Sequence, residues 1–159
     1  MKARVAIGVV AGVVLASPAA GSASNSEVAI VAKASSFTYR HDNAAISKAL
    51  QRLNLTSLSS VDALVEAGFS MKVDMTTDRQ LLARTAASTR AGRAGRSLLL
   101  QGLSALAASG DYMLRYGRAL GSSASLSVLQ IDSNGYRTKR HVGEALAHRG
   151  ASLLGISFG

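Results

Sequence analysis

The residues of this sequence whose types and spacing could do chemistry are mainly basic. Guanidinium groups bind phosphates and carboxylates through paired hydrogen bonds, and arginines three residues apart lie on one side of a helix with some drift. Both features point to an anion-binding surface. The eight residues that we predict to form it lie in two clusters: Arg90, Arg93, Arg96, Arg115, Arg118, Arg137, Lys139 and Arg140.

The charge balance of the chain supports this prediction. Eighteen Lys and Arg residues stand against nine Asp and Glu, a formal net charge of +9. Between Arg79 and Arg118 the only acidic residue is Asp111. Such a field attracts anionic polymers and membrane surfaces. A solvated basic face that serves only solubility is the open alternative. Nucleic acid is disfavoured, because few aromatic residues are present to stack on bases.

Histidine chemistry provides a weaker alternative. His41 and Asp42 are adjacent, and a histidine beside a carboxylate suits general acid–base catalysis in a small hydrolase. The three histidines show no metal-ligand spacing, and no serine lies in the strained turn typical of hydrolase nucleophiles. The chain has no cysteine. We therefore predict no metal, no cofactor and no catalytic residue.

The first 23 residues have the pattern of a secretory signal peptide. Lys2 and Arg4 precede an apolar stretch over residues 5–16, and small residues follow a Ser17-Pro18 break. The apolar stretch is too short to cross a bilayer as a helix, which takes about 20 residues. We expect cleavage after Ala23, an exported periplasmic or secreted protein, and a single domain over residues 24–159. An uncleaved N-terminal anchor is the alternative.

The elements that must position the basic residues are predicted from periodicity and turn signals. Apolar residues at helical spacing predict helices that begin near Asp42, Ser59 and Thr76. A further helix over Ser97–Ser109 is apolar nearly all round, which is typical of a helix buried in a core or at a subunit interface. Glycines at positions 68, 110 and 150 are interpreted as helix ends.

Strands are predicted where β-branched and aromatic residues cluster or alternate. The ranges are 27–31, 37–40, 69–75, 126–131, 136–142 and 152–158. Asn134-Gly135 supplies the positive φ angles of a tight hairpin between the fourth and fifth of these ranges. The predicted fold class is α+β, with a small, mainly antiparallel sheet and the helices packed on one face.

Three functions remain open at this level. The favoured one is an exported, non-catalytic binding or structural module whose basic surface meets an anionic envelope polymer or membrane headgroups. The second is a self-assembling envelope or virion-type protein, a homo-oligomer formed through Ser97–Ser109. The third is the small hydrolase with a His41/Asp42 site.

Overall fold

The computed structural model describes residues 25–159, and 83% of them lie in helices. Four helices follow one another along the chain: α1 (Ser26–Gln51), α2 (Leu58–Arg84), α3 (Arg90–Gly121) and α4 (Leu126–Ser152). No strand occurs within the described range. The fold is therefore all-α, and the predicted α+β fold is wrong. The predicted signal peptide over residues 1–23 lies outside the described residues.

Short connections make successive helices antiparallel neighbours. α3 packs extensively against both α2 and α4, and α2 also packs against α1. Contacts between α1 and α3 are few, and they include the start of both helices, where the Asn25 side chain donates to the Thr89 hydroxyl at 2.7 Å. Large side chains bridge α1 and α4: the Tyr39 hydroxyl donates to Glu144, and the Tyr136 hydroxyl lies 3.5 Å from Oδ1 of Asn43.

Aliphatic and sulfur-containing side chains fill the centre of the bundle. Leucines of α2 and α3 and methionines of α2 are fully buried and pack together. Aromatic rings enter the core from α1, α4 and the C-terminal tail, which bends back along the bundle. The most buried of these rings, Phe158, is 1% exposed and stacks on Tyr39 at a centroid distance of 5.9 Å.

Glycines bring α3 into backbone contact with both of its neighbours. A Cβ at Gly68 would lie 2.6 Å from the backbone nitrogen of Leu114, and one at Gly110 would lie 2.6 Å from that of Lys72. On the other side of α3, a Cβ at Gly102 would lie 2.8 Å from the backbone nitrogen of Ala147. Gly68 and Gly110, two of the glycines interpreted as helix ends, are therefore interior contact positions of continuous helices, whereas Gly150 lies in the last turn of α4.

The strand predicted over residues 69–75 is the middle of α2. Its apolar residues alternate in sequence, but only Met71 and Met75, four residues apart, are buried. Phe69 and Val73 belong to the same alternation and are 54% and 41% exposed. The segment fully buries one residue per helical turn, and the alternating Phe69 and Val73 stay exposed, so the two-residue period does not correspond to a strand.

The predicted hairpin over 126–131 and 136–142 is also wrong, because both ranges belong to α4. Asn134-Gly135 continues the helix without a turn. A Cβ at Gly135 would lie 2.4 Å from the Tyr112 ring, so the glycine makes room for a side chain of α3.

The remaining predicted strands are corrected in the same way. Ranges 27–31 and 37–40 lie in α1, and 152–158 is the end of α4 followed by the non-helical tail. Short apolar runs do not distinguish strand from helix by themselves. None of the four described helices combines the length and apolarity needed to cross a membrane.

Candidate anion-binding surface

The solvent-facing side of α3 is basic. Arg90, Arg93, Arg115 and Arg118 are exposed there. Asp111 is the one acidic residue of this helix, and the ammonium group of Lys72 on α2 lies 2.7 Å from its carboxylate. The helix therefore presents four guanidinium groups to solvent, and its single carboxylate is already paired.

A groove continues this surface on both sides of α3. Its volume is about 390 Å³, and it runs over α3 between α2 and α4. Arg79 of α2 and Lys139 of α4 stand on its two flanks. Small and aliphatic side chains form most of the rest of the lining: Leu100, Ser104, Ala105, Ala108, Val142 and Leu146. Cations from α2 and α4 thus border a largely apolar floor that α3 and α4 provide.

Arg115 is held by neighbours on two helices. Its Nε lies 3.4 Å from Oδ1 of Asp132 on α4 and 3.8 Å from Oδ2 of Asp111. The guanidinium carbon lies 4.2 Å from the centroid of the Tyr112 ring, a cation–π contact. Its orientation is therefore set by the fold, and part of its charge is compensated.

Arg96 is less exposed than Arg90 and Arg93, although the three arginines are equally spaced along the sequence. Its Nε donates to the carbonyl oxygen of Leu82 at 3.1 Å, and Nη2 donates to that of Ala83 at 2.6 Å. These carbonyls lie in the last turn of α2, where most carbonyls have no intrahelical donor, although that of Leu82 also accepts from the backbone N–H and the hydroxyl of Thr85. Arg96 is therefore a capping residue of α2, a role that the spacing could not reveal.

The second basic cluster is divided among different sides of α4. Lys139 borders the groove over α3. Arg140 is on the side of α4 that faces α1. Its Nη1 donates to the hydroxyl of Tyr136 at 3.4 Å, and its Nε lies 3.8 Å from Glu144, both residues of α4. Arg137 is exposed and forms no ion pair among the described residues. Consecutive residues of a helix point about 100° apart, so only Lys139 joins the α3 surface.

His41 and Asp42 do not form a shared site. His41 is exposed, whereas Asp42 is 1% exposed and faces α2. The Ser70 hydroxyl lies 3.4 Å from Oδ1 of Asp42 and 3.3 Å from Oδ2 of Asp74. The histidine is on the solvent side and the carboxylate is inside the interface, so the two side chains do not converge on one point.

The interface between α1 and α2 instead contains an acidic cluster that sequence reasoning missed. Asp42, Asp74 and Asp78 form it, and no Lys or Arg of the described chain pairs with them. Burial raises the pKa of Asp42 to about 6, and the charge of Asp74 adds to the increase. Burial also raises the pKa of Asp78 to about 6. The spacing of Asp74 and Asp78 would have been a signal once 69–75 was known to be helical.

Neither a metal site among the described residues nor a similarity to a known protein indicates a function for this chain. Within residues 25–159 no group of three or more His, Asp or Glu side chains could hold a metal ion. No known protein family, no curated protein and no solved structure matches the chain. The exposed cations of α3 and its flanks are the surface of the described residues that we take as the candidate site.

Proposed function

We propose that this protein is an exported, non-catalytic binding module that holds an anionic envelope polymer or membrane surface on the exposed face of α3. The observation that carries the proposal is the set of unpaired cations on this face. Arg90, Arg93 and Arg118 are exposed and form no ion pair with any described carboxylate. Arg79 and Lys139 extend the charge across the groove.

Arginines without a carboxylate partner suit this role because most of their donors stay available for a ligand; among the three, Arg93 uses Nη1 to donate to the Ser88 carbonyl at 2.8 Å. Each guanidinium can donate two parallel hydrogen bonds to a phosphate or carboxylate. Several such groups on one rigid helix match a ligand with repeated anionic groups. The contribution of each remains modest in solvent, so the affinity depends on their number.

The two other candidate functions receive less support. The apolar segment Ser97–Ser109 directs Leu99, Leu103 and Leu106 into the core, where each is 0% exposed. Its exposed residues include Ser97, Gln101 and Ser104. These exposed residues are polar, and the half-buried Leu100, Ala105 and Ala108 line the groove, so the segment gives less support to self-assembly. The separation of His41 from Asp42 disfavours the hydrolase.

A charge-neutralised variant tests the proposal. In the chain that begins at Ser24, which contains all four helices, Arg90, Arg93 and Arg118 are each replaced by Gln, and Arg96 is kept because it caps α2. Glutamine has a helix propensity close to that of arginine. We expect this variant to elute from a heparin column at lower salt and to bind anionic vesicles more weakly.

The matched control removes the same charge from α1, no residue of which lines the groove. Lys33, Arg40 and Lys48 are exposed on that helix and are replaced by Gln. The control should elute close to the wild type. Equal shifts of both variants would indicate a general effect of net charge. Wild-type protein that is retained by neither heparin nor anionic vesicles would refute the proposed function.

A further inference from the structure

Exposed aliphatic side chains form a line along α4. Ile131, Val142 and Leu153 recur every 11 residues, and their side chains are 65%, 46% and 46% exposed. Eleven residues are close to three helical turns, so these positions share one side of the helix. Leu153 is the C-cap residue directly after the last turn. We call these three residues the aliphatic line, and at 1.5 Å per residue it extends over about 33 Å.

The aliphatic line borders the basic surface. Val142, its middle member, lines the same groove as Arg79 and Lys139. Asp132, the residue after Ile131, lies 3.4 Å from the Arg115 side chain of α3. The aliphatic line and the cations of α2, α3 and α4 therefore belong to one continuous surface.

This combination distinguishes between two anionic partners. A soluble polyanion would pair with the cations but would leave the aliphatic side chains in water. A bilayer containing anionic lipids offers phosphates at its surface and an apolar region directly beneath them. Only the bilayer removes the aliphatic line from water, and burial of apolar area is favourable in proportion to that area.

We propose that the partner of this surface is an anionic lipid bilayer. The aliphatic line enters the boundary between headgroups and acyl chains, and the cations of α3 and the groove contact lipid phosphates. This inference rests on the proposed function and selects its ligand. A second copy of the chain fits less well, because a symmetric contact would bring two basic faces together.

The test compares two triple variants of the chain that begins at Ser24. In the first, Ile131, Val142 and Leu153 are each replaced by Ser. In the matched control, serine replaces three exposed apolar residues away from the basic surface: Ile30, Phe37 and Leu81. Circular dichroism and thermal unfolding establish that both variants keep the helical fold. Exclusion of the apolar residues 5–16 ensures that any vesicle binding comes from the four helices.

Binding is measured by co-sedimentation with vesicles of equal parts phosphatidylglycerol and phosphatidylcholine, and separately by elution from heparin. We expect the aliphatic-line variant to lose about tenfold or more of its vesicle partitioning, because three aliphatic side chains no longer contribute burial. Its elution from heparin should not change. The control variant should match the wild type in both assays.

Three outcomes would overturn the lipid assignment while leaving the proposed function intact. The first is unchanged vesicle binding by the aliphatic-line variant. The second is wild-type protein that binds heparin but not the anionic vesicles, which would indicate a polymer ligand. The third is a wild-type dimer in light scattering that the aliphatic-line variant abolishes. Wild-type protein that binds neither matrix would refute the proposed function itself.

Discussion

Gly95 of α3 and Gly150 of α4 face each other with their backbones in contact. A Cβ added to Gly95 would lie 2.8 Å from the carbonyl oxygen of Gly150, and one added to Gly150 would lie 2.7 Å from that of Gly95. Gly102, seven residues later on α3, and Gly143, seven residues earlier on α4, repeat the contact. The distance between α3 and α4 is therefore short because these four glycines have no side chains, and the two closely packed helices support the basic surface.

Replacement of Gly150 by Ala tests this contact. The new methyl group would lie 2.7 Å from a carbonyl oxygen and 2.9 Å from the Leu99 backbone nitrogen, so the helices must separate. Overpacking of this kind costs about 1–3 kcal/mol of the free energy of unfolding, which urea denaturation can measure. Gly121→Ala is the control, because its nearest contact is an ordinary 3.5 Å. A Gly150→Ala variant as stable as the wild type would contradict the prediction.

Arg96 should stabilise the end of α2. We expect Arg96→Gln to lower the free energy of unfolding by about 1–2 kcal/mol, because two charge-assisted hydrogen bonds to the Leu82 and Ala83 carbonyls are lost. Amide hydrogen exchange should accelerate in the last turn of α2. The exposed Arg90 provides the control, and its replacement by Gln should leave both quantities unchanged. Equal effects of the two substitutions would show that Arg96 is not a cap.

The acidic cluster should make stability fall as pH rises from about 4 to 6. The pKa of Asp42 is raised from 3.8 to about 6 in the folded protein. The folded state therefore binds more protons than the unfolded state in this window, and the free energy of unfolding decreases with pH. Below pH 4 the carboxyl group is protonated in both states, so the penalty is absent.

Asp42→Asn removes this ionisation. At pH 7 the variant should be more stable than the wild type by about 2 kcal/mol, an order-of-magnitude value for a fully buried carboxylate. The difference should shrink towards pH 4, as urea unfolding at several pH values would show. The exposed Asp62→Asn is the control and should follow the wild-type profile. A difference that does not depend on pH would exclude ionisation of Asp42 as its cause.

Phe158 should anchor the C-terminal tail to the bundle. Its ring is buried between Tyr39 and His148, and the backbone N–H of Gly159 donates to the Ser36 hydroxyl at 2.8 Å. We expect Phe158→Ala to cost about 3–5 kcal/mol, seen as a lower thermal midpoint. Phe37→Ala, at a ring that is 69% exposed, is the matched control. Similar midpoints for the two variants would indicate that the tail contributes no packing.

The sequence determined several features without any tertiary information. Helical spacing of apolar residues predicted a helix from Asp42 onwards and another beginning near Ser59, and both lie within helices of the structure. The segment Ser97–Ser109 has few polar residues, which predicted a helix buried in a core or at a subunit interface. Leu99, Leu103 and Leu106 of this segment are buried in the core. The excess of basic over acidic residues likewise depends on composition alone. These features are local, so neighbouring residues along the chain suffice to specify them.

Only the tertiary structure decided the fold class and the availability of each basic residue. Gly68, Gly110 and Gly150 resemble helix ends in sequence, but a neighbouring helix occupies the space that a side chain would need. Arg96 has the same spacing as Arg90, yet the end of α2 lies beside Arg96 alone and uses its guanidinium. In both cases the deciding contact comes from a residue distant in sequence. Local sequence propensity cannot predict such a contact, because the contact forms only after the helices pack.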